Sequence, residues 1–225
     1  MRTRQARTST LETTESRTSN SHPGRVGPNA AIQLIAALQR AGETDLLDRL
    51  FDAAGRSEWL REPPASLIDE RDAARLHLTL RDMASPALAE QFLADAGRRT
   101  ADYLLAHRIP KPAQWALRCA PRQWAAAALT RAISANAWTF AGSGRFESRR
   151  DGAIEYRIYA NPLCQGAETS APLCVWHCAV FARLFVILVA RRVVVRELEC
   201  CGREDPCCRF VIDFGGRAPY SQSGA

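Results

Sequence analysis

Near residue 137 the hydrophobic pattern changes period, and this limits the fold more than any other feature of the chain. Before that point apolar side chains recur every three to four residues; after it they alternate. The first regime reads as a series of helices. Asn29 is the expected N-cap of the first, where Ile32, Leu34, Ile35 and Leu38 form one stripe. Leu46, Leu47, Leu50 and Phe51 share a face of the second, over residues 43–53, and Gly55 ends it. Pro63-Pro64 marks a loop, and residues 69–83 give a third helix. Ser85-Pro86, a favoured pair at the N-cap and first helical position, opens a fourth that runs to about residue 107. Ile109-Pro110-Lys111-Pro112 breaks the chain, and Pro121 opens a fifth, Ala-rich helix to about residue 136.

The second regime reads as a sheet with one helix inserted. Residues 145–149 and 153–160 flank Asp151-Gly152, a hairpin signal. Ile154, Tyr156, Ile158 and Ala160 point one way; Glu155, Arg157 and Tyr159 point the other. A loop over 161–172 leads to an apolar helix over 173–190. Strands over 193–200 and 208–214 follow, joined through Gly202 and Pro206. The expected fold is α+β: a helical N-terminal half (28–137) followed by a β-β-α-β-β antiparallel unit (138–214), in a single domain over 25–214. Residues 1–24, rich in Ser, Thr and Arg, are expected to be a disordered tail, and 215–225 a flexible one.

With 225 residues, 47% of them hydrophobic and 24% charged, the chain can bury a real core. Its net charge of +6 comes almost wholly from arginine, with Lys111 the one lysine. The arginines look scattered and no basic helix interleaved with aromatics stands out, so no nucleic-acid partner is expected. The most apolar segment, 174–190, carries His177 and Arg183 and is too short to cross a bilayer. With no apolar leader segment visible, a cytosolic or peripheral protein is expected.

Of eight cysteines, six lie between Cys174 and Cys208. In a reducing compartment such clustering points to metal binding or catalysis rather than disulfides. Cys174, His177 and Cys178 fall at i, i+3 and i+4, while Cys200 ends one strand and Cys208 begins the next. Neighbours in a strand face opposite ways, so only one of Cys200 and Cys201, and one of Cys207 and Cys208, can enter a given site. Zinc takes four thiolate, imidazole or carboxylate ligands, and Cys174, Glu197, Cys200 and Cys208 make one such set. The other reading treats several of these thiols as small buried hydrophobes, and it is preferred for Cys119 and Cys164. No nucleotide fingerprint accompanies them: Gly142-Ser143-Gly144 leads into a strand rather than out of one.

The same stretch carries a resemblance. Glu197-x2-Cys200-x7-Cys208-Arg209-Phe210, with Cys174 on the preceding helix and a loop holding Gly202 and Asp205-Pro206, resembles the 4-vinyl reductase domain over about residues 140–214. Arg25-Val26-Gly27-Pro28-Asn29-Ala30 and Cys174-x-Trp176-His177 extend it to residues 25–214, toward the bacteriochlorophyll 4-vinyl reductase branch of purple photosynthetic bacteria. The resemblance implies a fold like that of vesicle-tethering complex subunits, a homodimer, and zinc on Cys174, Glu197, Cys200 and Cys208. It also implies a role at reduction of the vinyl group of a divinyl (proto)chlorophyllide, in the cytoplasm or at the periphery of the photosynthetic membrane. The chain departs from the pattern in its two added thiols, Cys201 and Cys207.

Catalysis would need a hydride donor such as NADPH, for which no motif is visible. A tetrapyrrole-binding accessory or carrier serving another pathway enzyme therefore stands beside a reductase. For such a ligand Trp138, Phe140 and Trp176, with Trp115 and Trp124, are candidate cavity walls. His177 is a candidate ligand to its magnesium, and Arg183 or Arg145 a partner for its carboxylates; plain core packing is the alternative for each. A small-aromatic sensor and a dimeric scaffold are the competing function classes.

Overall fold

The computed structural model describes residues 24–151 and 153–215. The expectations for the two tails lie outside the described residues, apart from Gly24 and Gly215. In chain order the elements are β1 (Arg25–Val26), α1 (Asn29–Ala41), α2 (Thr44–Ala53), β2 (Ile68–Asp69), α3 (Glu70–Met83), α4 (Pro86–His107), α5 (Lys111–Cys119), α6 (Arg122–Ala135), α7 (Trp138–Ala141), β3 (Arg145–Asp151), β4 (Ala153–Tyr159), α8 (Val175–Leu188), β5 (Val194–Glu199) and β6 (Cys208–Asp213). The α+β architecture and the β-β-α-β-β order both stand.

The four C-terminal strands form one antiparallel sheet in the order β3-β4-β6-β5. Ile154, Tyr156 and Ile158 of β4 lie opposite Ile212, Phe210 and Cys208 of β6. All six side chains are buried, as period-two alternation requires of one covered face. Helix α8 contributes Trp176, Val180, Phe181, Leu184, Phe185 and Leu188 to the same core. Phe181 meets Tyr156 and Phe210 edge-on, with centroids 5.0 and 5.7 Å apart.

Helix α4 packs on α8, and α1 on α4. Gly97 makes the α4–α8 approach close: a Cβ there would lie 2.5 Å from the Trp176 carbonyl oxygen. Helix α6 is tied to the sheet by a buried hydrogen bond of 2.9 Å between Thr130 and the Tyr156 hydroxyl. One hydrophobic core thus runs through both halves, from Val26 to Ile212.

Local details differ from the sequence expectations. Asn29 is the first helical residue; Pro28 holds the cap position without a side-chain bond, and its carbonyl accepts from Ala31 and Ile32. The segment read as a break after Ile109 contains α5. Both prolines sit at its start, where a missing N–H costs nothing. Gln114 of α5 donates to the Ile109 carbonyl at 2.8 Å, which folds α5 back on the end of α4. The short β1–β2 ladder is a further element that too few residues announce. Beside it the buried Glu70 carboxylate accepts from the Ser143 N–H (2.7 Å) and hydroxyl (2.6 Å). Gly142 is required there: its φ is +54°, and a Cβ would collide with Glu70.

Candidate functional site: a thiol cluster and an apolar cavity on one helix

Four thiols converge at the start of α8. Cys164 closes a 3-10 turn just after β4, Cys174 holds the N-cap position of α8, Cys200 follows β5 and Cys208 opens β6. All four are buried, and their sulfurs lie within 4.8 Å of one another. Individual separations are 3.3 Å for Cys164–Cys174, 3.6 Å for both Cys164–Cys208 and Cys174–Cys208, and 3.8 Å for Cys164–Cys200. No disulfide joins them. Tetrahedral Zn–S bonds of about 2.3 Å place sulfurs roughly 3.8 Å apart, so the cluster fits one ion rather than a larger iron–sulfur cage.

Three of the four expected ligands, Cys174, Cys200 and Cys208, meet in this cluster. Cys164, read as a plain buried hydrophobe, is the fourth thiol, and Glu197 stands outside the group. Its Oε2 instead accepts the Cys174 backbone N–H at 2.6 Å. That bond closes the open end of α8, where a backbone donor has no helical partner. The other Glu197 oxygen is buried without a partner, and burial raises the carboxyl to about 7. Cys119, also expected to be buried, is exposed.

Neighbouring groups suit the cluster to a cation. Hydrogen bonds from the other three thiols hold Cys200 far below the ordinary thiol range, while burial pushes Cys174 well above it. Asn161 caps the Cys164 turn by accepting from Leu163 and donates to the Cys174 sulfur at 3.2 Å. The Cys201 N–H reaches the Cys208 sulfur at 3.3 Å. Asp205 accepts from the Cys200 N–H at 2.8 Å and pairs with Arg203, which shapes the loop between the last two strands. Arg81, largely buried and bonded to the Leu173 carbonyl, brings positive charge beside Cys174 and Cys164. Of the remaining thiols, Cys201 turns to the Ile158 carbonyl and Cys207 to Glu199, while burial raises Cys178 to about 12.

One turn further along α8 the same helix lines a cavity of about 390 Å³. Trp176, His177, Val180, Phe181 and Leu184 come from α8; Thr100, Leu104 and Arg108 from α4 and its end; Leu129, Ala132 and Ile133 from α6; Trp138 and Phe140 from α7. The volume lies within the roughly 300–1,000 Å³ typical of small-molecule sites.

His177 is the chemically exposed group of this cavity. It is 1% accessible, and neither ring nitrogen has a hydrogen-bond partner. Rings of Trp176, Phe210, Phe140 and Phe181 surround it at 5.0–6.1 Å. Burial, followed by the nearby His77, lowers its pKa to about 3, so the ring is neutral and offers one lone pair and one N–H. The Trp176 indole N–H is likewise buried and unpartnered. Arg108 is exposed where the cavity meets solvent and forms no ion pair among the described residues.

Four sequence candidates, Trp138, Phe140, Trp176 and His177, therefore share one cavity. Arg183 does not: it lies outside, paired with Asp102 at 2.8 Å. Arg145 pairs with Glu147 and stacks over Tyr159, and neither Trp115 nor Trp124 reaches the cavity. Sequence reasoning missed Arg108, whose only signal was its place at a helix end just before the Pro110 break.

The chain matches the V4R domain over residues 154–214, from the second strand of the sheet to its last. It is 42% identical over 193 residues to the bacteriochlorophyll synthase 23 kDa chain of Cereibacter sphaeroides, a match covering 86% of this chain and 92% of that one. The chain belongs to the family of that 23 kDa chain. The bacteriochlorophyll synthase 23 kDa chain of Rhodobacter capsulatus is 38% identical over the same length, covering 86% of this chain and 89% of its own. The 23 kDa family fold is shared with solved H-NOX domains. A structure from a study of heme distortion in the H-NOX family superimposes with a TM-score of 0.55 at 13% identity, over 88% of this chain and 100% of that one.

Proposed function

We propose that the protein is a carrier for a magnesium tetrapyrrole of bacteriochlorophyll synthesis, with His177 as the side chain that would hold the metal of the macrocycle. The carrying observation is a fully buried, neutral imidazole with both nitrogens unpartnered inside an aromatic cavity. Such a group costs stability unless a ligand pairs with it. The imidazole lone pair suits a magnesium ion, the ring walls suit the faces of a macrocycle, and the Trp176 N–H and Arg108 suit its oxygen substituents. Two further facts support the reading: the relatives are named as bacteriochlorophyll synthase chains, and an H-NOX fold holds heme, itself a tetrapyrrole.

The side chains of the cavity can ligate, donate hydrogen bonds and neutralise a carboxylate, but a hydride must come from elsewhere. The protein therefore presents the vinyl group of a divinyl intermediate to a reductase that carries its own cofactor. The four thiols would hold zinc, which would pin the start of α8 to the sheet.

The test is an absorbance titration of the metal-assayed protein with divinyl magnesium protochlorophyllide, with and without NADPH. A saturable Soret shift that His177→Leu abolishes, without vinyl reduction, is the expected result. Conversion to the monovinyl pigment by the protein alone would replace the carrier by a reductase. Absence of any shift would end the tetrapyrrole reading.

A further inference from the structure

Residues 103–146 contain no aspartate or glutamate. Within that span Arg108, Lys111, Arg118, Arg122 and Arg131 are exposed, and none forms an ion pair among the described residues. The same span holds the three most exposed large apolar side chains among the described residues: Trp115 and Trp124 at 70% and Trp138 at 56%. The arginines that looked scattered in the sequence thus include a set carried by α5, α6 and the end of α4, in a span whose own residues offer no acid. On α6 the exposed ridge Trp124, Ala128 and Arg131 advances by three to four residues per step, with Ala132 beside it, and leads to Asn136 and Trp138.

From this we infer that α5, α6 and α7 form a docking face for an anionic lipid bilayer, and that the cavity opens onto it. Cations of one sign attract acidic headgroups, and tryptophans without a protein partner settle at the headgroup level, where one edge is apolar and the other wet. Arg108, Ala132, Asn136 and Trp138 belong both to this region and to the cavity lining. An apolar ligand would pass between lipid and protein there without crossing water. A protein partner would find no acid on these three helices to pair its own cations, and single-stranded nucleic acid would have no use for the cavity. The docking face stands apart from the pigment reading; only the purpose given to the shared mouth rests on it. No helix among the described residues is long and apolar enough to cross a membrane, so attachment through this face is peripheral.

Sedimentation of the full chain with vesicles tests the inference, comparing phosphatidylcholine alone with a mixture containing one third phosphatidylglycerol. The protein is expected to bind only the anionic vesicles and to leave them as salt rises. Lys111→Gln and Arg131→Gln should each weaken partitioning about fivefold. Trp115→Ala with Trp124→Ala should remove most of the blue shift in tryptophan emission on binding. All four positions are exposed, and circular dichroism serves to check that the variants fold. Equal binding to neutral vesicles, no binding at all, or variants that bind like the parent would overturn the inference. So would tighter binding of a single-stranded oligonucleotide, or loss of self-association in the tryptophan variant, which would make the face a nucleic-acid or dimer surface. His177→Leu should leave vesicle binding unchanged, so failure here and failure of pigment binding are separable.

Discussion

A buried imidazole with two unsatisfied nitrogens lowers the stability of the empty protein, so removing it should raise that stability. We expect His177→Leu to shift urea unfolding upward by about 1–2 kcal/mol at pH 7.5 while losing the pigment. A fall instead would mean that water or another group already satisfies the ring. The pH dependence follows from two histidines and one carboxyl, Glu197. His177 has a pKa of about 3 and His77 of about 4, both fully buried and both below the ordinary 6.5. Below pH 6.5 the unfolded chain takes up protons that the folded chain refuses, so stability falls on acidification. Each histidine should account for about 2 kcal/mol lost between pH 6.5 and 5. Glu197 works the other way, because its folded pKa of about 7 lies above the ordinary carboxyl value, and it returns about 2 kcal/mol over the same range. Urea midpoints at the two pH values should therefore show a net loss of about 2 kcal/mol, which His177→Leu should nearly cancel. At the thiol cluster, Cys164→Ser should release the metal measured by elemental analysis, while Glu197→Gln should retain it. The opposite pair of outcomes would restore the carboxylate as ligand. Sequence spacing alone could not find Cys164, because its position depends on a loop turn set by the Asn161 cap and the positive φ of Ala160 (48°), neither of which leaves a periodic trace. Arg183 was placed wrongly for a simpler reason. Six residues beyond His177, it lies roughly 120° around the helix, off the cavity face.

Among the elements, the α4–α8 pair is the least tolerant of added volume. Gly97→Ala would drive a methyl group into the Trp176 carbonyl and Ala179. We expect a loss of about 1–3 kcal/mol in thermal or urea unfolding, together with weaker pigment binding, since the displaced turn carries Trp176 and His177. A variant of unchanged stability would show that the two helices can slide apart. The strands of the sheet and most helices were legible, because alternation and the helical period survive wherever one face is buried. Helix α5 was not. Its prolines are tolerated only in a first turn, and the sequence does not say which turn a proline occupies.

At the scale of the whole molecule, helices and sheet share one core, and the thiol cluster sits within it. If the four thiols hold a metal as proposed, its chelation should therefore lower the melting temperature of the entire fold in one transition, followed alike by circular dichroism and tryptophan emission. Two separated transitions would instead indicate halves that unfold independently. That the halves pack as one body was foreshadowed by an apolar helix in the middle of the strand region, which must be covered on more than one side. The convergence of Cys164 with three distant thiols could not be read until the chain was folded.

Helix α8 is tied to the sheet most directly at its first turn, where Cys174 meets the other thiols and its N–H is taken by Glu197. His177 lies about 4.5 Å along the axis from Cys174, and Leu184 about 15 Å along it. A small tilt would barely displace the imidazole yet would carry the far wall of the cavity several times as far. On the carrier reading, substitutions near Leu188 should then change the width of the chamber more than the position of the His177 ring, so that they alter which macrocycle edge is accepted before they alter how its centre is held.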